Sequence, residues 1–238
     1  MANFPFQRLQ ADLAALIART PAGQRLISEP DLAKQMGVSR ATLREAMRTF
    51  ETQGLIRRRQ GSGTYVVGKV PVMDAGLEVL ESIDTMASRM NLQTTVSDLH
   101  VDQVDADKET AAGLGVAEAT RLTRIRRVMR ADSRPVAYLI DTLPADTLKL
   151  GDLPNGFTGS VLDLMLSRGN KLTVSRAAIS ATNATADVAK ALEIQRGDVL
   201  LQFVSQLYLD TGKVVDYTLS YFIPGYFHFH VVRRIGNS

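Results

Sequence analysis

Between Pro5 and Thr20 the apolar residues Leu9, Leu13, Leu16 and Ile17 recur at intervals of three and four. That spacing predicts an amphipathic helix, with Pro5 near its start and "TPAG" as its stop. "SEPDLAKQMG" repeats the pattern, with Leu32, Ala33 and Met36 on one face. Ser28 is placed to cap this second helix, Pro30 is tolerated in a first turn, Asp31 complements the positive helix end, and Gly37 terminates it. After "GVS", Ser39 caps a third helix through about Gln53, whose buried stripe is Leu43, Ala46, Met47 and Phe50 and which Gly54 ends. The period then switches from helical to alternating. Leu55–Arg59 and Thr64–Val67 read as two short strands joined by the turn "QGSG".

"GKVPVMDAG" breaks both periodicities and marks a boundary. The chain therefore divides into an N-terminal domain over 1–68, a linker over 69–76 and a C-terminal domain over 77–238. Beyond the linker, "GLEVLESIDTMASRMN" predicts a helix with Leu77, Leu80, Ile83 and Met90 at near-helical spacing. Strand-like runs follow: "TTVSDLHVDQV", "RLTRIRRVMRA", "PVAYLIDTLP", "KLTVSRAAISATN", "DVLLQFVSQLYLD", "VVDYTLSYFI" and a last one in "HFHVVRRI". Short helical pieces separate them at "DKETAAGLG", "GSVLDLMLSRG" and "TADVAKALEI", and "RADSRP" and "LDTGK" read as hairpin turns. Mixed strands and helices with many hairpins predict an α+β domain around an antiparallel sheet.

Composition changes this picture in two ways. The 238 residues are enough for two domains of ordinary size, with 45% hydrophobic and 22% charged residues and no run long enough to span a bilayer. There is no cysteine, which excludes disulfides, thiolate metal sites and cysteine nucleophiles. With no signal-type leader, a cytoplasmic protein with no membrane role is expected. The net charge of +3 is unevenly spread: residues 1–70 hold 11 Lys and Arg against five Asp and Glu, whereas the remainder holds 17 against 20. A basic front on a mildly acidic body points to a polyanion partner for the front alone.

Within that front, "GVSRATLREAMRTF" places Arg40, Arg44 and Arg48 four residues apart, stacked on one helix face and off the buried stripe. Stacked like charges repel by a few tenths of a kcal/mol per pair, a cost a phosphate-lined groove removes. Two helices joined by a short turn, the second with a polar N-terminus, and then a basic hairpin make a winged helix-turn-helix. Its third helix would lie in the major groove, where Arg pairs bidentately with guanine.

At these residues the sequence also resembles a family. "ISEPDLAKQMGVSRATLREAMRTFETQGLIRRRQGSGTYV" is similar to the DNA-binding domain of the GntR family of bacterial transcription regulators. The resemblance implies contacts to double-stranded DNA from Arg40, Thr42 and Arg44 and from the wing tip at Gly61 and Gly63; Arg48 of the arginine stripe and Arg58 and Arg59 of the basic hairpin are expected to join them. Ile27 stands where the family usually has Pro, and Pro30 where many members carry a DNA-touching Arg, which leaves the operator sequence open. The back half resembles the UTRA effector-binding domain of HutC-type members, a fold similar to chorismate lyase, through "RLTRIRRVMRADSRPVAYLIDTLP", "GSVLDLMLSRG" and "ALEIQRGDVLLQFVSQLYLDTGKVVDYTLSYFIPGYFHFHVVRR". This implies a homodimer on a palindromic operator, one small-molecule pocket per chain, and repression by analogy. Carried over position by position, the pocket would include Arg127, Met129, Leu139, Ser160, Asp216 and Tyr226. Met129 and Leu139 replace polar residues and the tail is aromatic. The expected effector is thus a small organic acid or other weakly polar metabolite rather than a phosphosugar, with an anionic group at Arg127 and a hydrogen-bonding group near Asp216. A structural bridge between Arg127 and Asp216 is the competing reading.

Other chemistry is excluded or left open. His228 and His230 share a strand face but no spacing signals a third ligand, so no metal is expected, and no cofactor. "GSG" lacks the helix and Lys of a phosphate loop, and neither GxSxG nor HExxH occurs. A non-enzymatic regulator is the expectation. A chorismate-lyase-like enzyme and an architectural DNA binder without an effector remain as alternatives.

Overall fold

The computed structural model describes residues 4–59, 62–67, 72–131, 133–149, 151, 153–154, 157 and 159–233, with the backbone alone at 4, 5 and 59. The chain divides into two compact units, Met1–Val72 with Pro224–His228, and Met73–Ile223 with Phe229–Ser238.

The first unit follows the apolar pattern closely. Helices α1 (Phe4–Arg19), α2 (Glu29–Gln35) and α3 (Arg40–Thr52) precede strands β1 (Ile56–Arg59) and β2 (Gly63–Val66). Leu9, Leu13 and Ile17 of α1, Leu32 and Ala33 of α2, and Leu43, Ala46, Met47 and Phe50 of α3 meet in one core with Leu26, Ile56 and Val66. Each large side chain taken fully out of water there contributes about 1.5–3 kcal/mol. Ser28 and Ser39 cap α2 and α3, their hydroxyls accepting from the amides of Asp31 and Thr42. Antiparallel β1 and β2 form the wing, with Ile56 opposite Val66 and Arg58 opposite Thr64. The segment before α2 extends it: Leu26 N donates to Thr64 O at 2.8 Å and Val66 N to Gln24 O at 2.8 Å. Tyr226 is buried in this unit, and a Cβ on Gly54 would fall 2.3 Å from its hydroxyl.

The second unit is built on a six-stranded antiparallel sheet in the order β4-β5-β6-β9-β8-β7. Its strands are β4 (Thr94–Asp105), β5 (Arg121–Ala131), β6 (Arg134–Pro144), β7 (Leu172–Asn183), β8 (Val199–Leu209) and β9 (Val214–Phe222). Helix α5 (Lys108–Leu114) covers one face through Ala111, Leu114, Leu122 and Tyr217. Helix α6 (Val161–Ser167) covers the other, where Val161 and Met165 pack on Ile125, Leu143 and Leu207. Leu122 and Ile125 lie on one strand with unbroken register, so their odd separation sends them to opposite faces. Helix α7 (Ala186–Ala191) completes the set.

Two expectations change. Part of the expected linker, Met73–Gly76, is strand β3, paired with β10 (Phe227–His230), and it buries Met73 and Ala75. Their separation of two is a strand alternation too short to read in the sequence alone. The helix expected from Gly76 onward is only α4 (Ile83–Arg89), capped by Ser82, and Leu77, Val79 and Leu80 before it are exposed. Near-helical apolar spacing had no buried face to serve there.

Candidate nucleic-acid interface and effector site

Capping of α3 by Ser39 leaves its first turn open to solvent, with Arg40 and Arg44 exposed beside it. Arg44 Nε sits 2.6 Å from Glu29 Oε2 while its side chain remains 54% exposed. Arg58 reaches across from the wing, donating from Nη2 to Arg44 O at 3.1 Å. Its Nε lies 3.8 Å from Glu29 and 3.4 Å from Glu51, and that nitrogen is buried without a hydrogen bond among the described residues. Arg48 stands apart, 3.7 Å from Glu45. The Thr42 hydroxyl is engaged with Ser39 Oγ at 2.8 Å. Arg40, Arg44, Arg58 and Gly63 are brought together around a recess of about 480 Å³, joined by Arg25, Ile27, Ser28, Glu29, Pro30 and Thr64. Gly61 and the Arg59 side chain fall outside the described residues.

Two members of this recess carry no signal in the sequence. Arg25 sits in the featureless "GQRLIS", and Glu29 reads simply as a first-turn acid of α2. The carboxylate of Glu29 answers part of the charge problem raised by the arginine stripe. An exposed pair of this kind is worth about 0–1 kcal/mol, so it orients Arg44 more than it holds the fold.

The second cluster is buried. Arg127 on β5 faces Leu139 on β6, Met129 lies two residues along on the same face, and Asp141 and Thr218 are register partners one step on. Arg127 pairs with Asp141 rather than with Asp216, and both partners are at most 7% exposed. Asp216 on β9 accepts from Thr142 N at 3.2 Å and from Thr218 Oγ1 at 3.1 Å. Burial, followed by the charge of Asp141 and a hydrogen bond with it, holds the Asp216 carboxyl well above the usual carboxylate range. One guanidinium thus faces two carboxyls, and burial favours the protonated form of Asp216. Arg127 Nε is buried and has no hydrogen-bond partner among the described residues. Ser160 caps α6, accepting from Asp163 N at 3.1 Å. The neighbouring Gly159 brings this helix start onto Arg127, because a Cβ there would lie 2.7 Å from Arg127 Cδ.

Arg127, Met129, Leu139 and Asp216 therefore share one sheet face, with the Ser160 turn above Arg127. Tyr226 does not join them, since it packs in the first unit. Asp141 and Thr218 escaped the sequence reading. The family resemblance places an acid at position 139, and Asp141 stands two residues further on, the spacing that keeps a side chain on the same face. Near the end of the chain, His230 Nδ1 lies 3.0 Å from Asp74 Oδ1, a carboxylate that no spacing announced.

A three-helix unit with a wing and a basic recess, joined to an antiparallel sheet with a buried polar cluster, defines a DNA-binding regulator with a ligand-responsive domain. Comparison with known proteins agrees. Residues 6–66 match the model of the bacterial regulatory proteins of the gntR family, and residues 89–228 match the UTRA domain. The chain belongs to the gntR family, in its HutC-type arrangement of winged helix followed by UTRA domain. It is 32% identical over 200 residues to the HTH-type transcriptional repressor NagR of Bacillus subtilis, covering 82% of this chain and 79% of that one. It is 27% identical to the mannosyl-D-glycerate transport/metabolism system repressor MngR of Escherichia coli over the whole of both chains. The crystal structure of PhnF from Mycobacterium smegmatis shares the fold, with a TM-score of 0.65 at 22% identity over 96% of this chain and 100% of that one. The protein is an effector-modulated DNA-binding transcription regulator.

Proposed function

We propose that the chain is a repressor that binds a palindromic operator as a homodimer, with α3 of each copy in a major groove. The observation that carries this reading is the basic recess in which the start of α3 and the wing present Arg40, Arg44 and Arg58 together. Arg40, Thr42 and Arg44 would face base edges and nearby phosphates, while Arg48, Arg58, Arg59 and the wing glycines supply backbone contacts. The two alternatives of an enzyme or an effector-free architectural protein gain no support from relatives that are regulators by name.

The effector lodges against the buried cluster. A small organic acid would give its anionic group to the unsatisfied Arg127 Nε and a hydrogen-bonding group to Asp216, with Met129 and Leu139 as apolar walls. Its entry competes with Asp141 for the guanidinium, and the Asp141–Asp216 pair can take up the displaced charge as a shared proton. Residues 69–76 pass the change to the DNA-binding domain. Such a ligand alters operator affinity only by preferring one state of the dimer. A thermal-shift screen of the full chain against small acids, amines and sugar derivatives tests this, since stabilisation follows RT ln(1 + [L]/Kd). Stabilisation by acids that weakens operator binding is expected. Tight binding of glucosamine-6-phosphate with no response to less polar acids would defeat the effector reading, and a mobility shift that stays unchanged with every stabilising ligand would defeat the repressor reading.

A further inference from the structure

The recess beside α3 contains one arginine that the DNA-binding motif does not explain. Arg25 precedes α2 and is exposed, and it forms no ion pair among the described residues. Its backbone is nonetheless fixed, because residues 24–26 pair along β2 through the Leu26–Thr64 and Val66–Gln24 hydrogen bonds and a bridge between Arg25 and Tyr65. The side chain crosses the wing at Gly63, where a Cβ would fall 2.3 Å from Arg25 Nε and where φ is +115°. Gly63 is therefore required twice, for a backbone conformation open to glycine and for the passage of the guanidinium.

Charge decides what this recess can hold. Arg25, Arg40, Arg44 and Arg58 line it against one carboxylate, Glu29, which lies 2.6 Å from Arg44. With Glu51 also paired to Arg58 Nε at 3.4 Å, two positive charges remain unbalanced around a concave wall, the shape that concentrates a field on a small anion. Arg58 contributes a buried Nε with no hydrogen bond among the described residues. A doubly oxygenated anion with a single charge, small enough for about 480 Å³ and open on one side to its chain, fits these donors.

We propose that the recess is the seat of one backbone phosphate of bound DNA, that Arg25 is a phosphate-contacting residue of the interface, and that Glu29 is a positioning residue that spreads Arg44 and Arg58 around the seat. This rests on the reading that α3 and the wing face the duplex. Phosphate contacts fix register and carry no sequence information, so the contribution of Arg25 is the same on any duplex.

The test uses the full chain and a labelled mixed-sequence duplex of about 30 base pairs, titrated by fluorescence anisotropy across a salt series, where each phosphate contact adds about 0.9 to the slope of log K against log salt. Arg25→Gln should lower that slope by about one contact, so that between 50 and 200 mM salt it loses about 3-fold less affinity than the parent. Arg25→Lys, which keeps the charge, should restore the slope. Arg196→Gln, an exposed arginine of the second unit, makes the same change in net charge and should leave the slope alone. A parental slope in Arg25→Gln, or an equal fall in Arg196→Gln, overturns the proposal. A parent that shows no salt-dependent binding to any duplex would instead overturn the DNA reading itself. Melting curves of each variant confirm folding, and Arg25→Lys probes the same contact without removing the charge.

Discussion

The two arginine-centred sites make opposite use of one side chain. In the first unit four guanidiniums are answered by two carboxylates, Glu29 and Glu51, and stay in contact with water, so their excess charge is available to a partner. In the second unit one guanidinium is closed in by two carboxyls, and burial beside Asp141 raises the pKa of Asp216, which lowers the excess negative charge around Arg127. The open site is screened by salt and costs little to form. The closed site is shielded from salt and is costly to disturb, since a buried charge that loses its partner has no water to turn to. The first is sensitive to ionic strength; the second is sensitive to protons.

The largest expected effect lies in the closed site. Asp141→Ala leaves Arg127 buried without its ion-pair partner and should lower unfolding free energy in urea by about 3–5 kcal/mol. An unchanged midpoint would mean that Arg127 relaxes into solvent and that the site is not closed at all. Next comes the open site, where Arg44→Ala should weaken operator affinity by about 1–3 kcal/mol while ligand-induced thermal shifts persist. A mobility-shift titration matching the parent would remove Arg44 from the interface.

Third is the pH dependence carried by Asp216. Its folded pKa is raised above its unfolded value, so the native state binds the proton more tightly. The stability it contributes is fully present below the ordinary carboxylate range and is lost as pH rises through the folded pKa, with a slope of at most about 1.4 kcal/mol per pH unit for one proton. Asp216→Asn should flatten this limb in urea midpoints taken from acid to alkaline pH. A variant that keeps the parent's pH profile would assign the proton elsewhere. The smallest effect is that of Glu29→Gln, whose exposed pair should cost under about 1 kcal/mol at low salt and nothing measurable at high salt. An equal loss at both salt concentrations would place Glu29 with the closed site rather than the open one.

Legibility in the sequence followed the range of the interactions. The stripe Leu43, Ala46, Met47 and Phe50, the capping serines Ser28 and Ser39, and the two wing strands are local, and each appears where the pattern put it. The alternation of β5, β6, β8 and β9 likewise announced an antiparallel sheet, and short helices stand at all three expected places between its strands. The region just after the boundary was misread because four residues of β3 are too few to establish a period, and because exposed Leu77, Val79 and Leu80 imitate a buried face. Within the site, Arg127 and Asp216 stand at motif positions but Asp141 does not, since its importance comes from pairing with Arg127 on the neighbouring strand. Arg25 was invisible for the same reason, being 38 residues from the glycine it crosses.

By itself, the order of residues determined the helices and wing strands of the first unit, the caps Ser28 and Ser39, the antiparallel sheet of the second and the presence of a basic winged helix, because these depend on neighbours a few positions apart or on summed charge. Only the tertiary structure decided which carboxylate neutralises which guanidinium. Ion pairing depends on distances of a few ångströms between residues far apart in the chain, and on whether water is present between them. Glu29 with Arg44 and Asp141 with Arg127 are the same pair of groups chemically; burial alone leaves one open to solvent and makes the other a lock on the sheet.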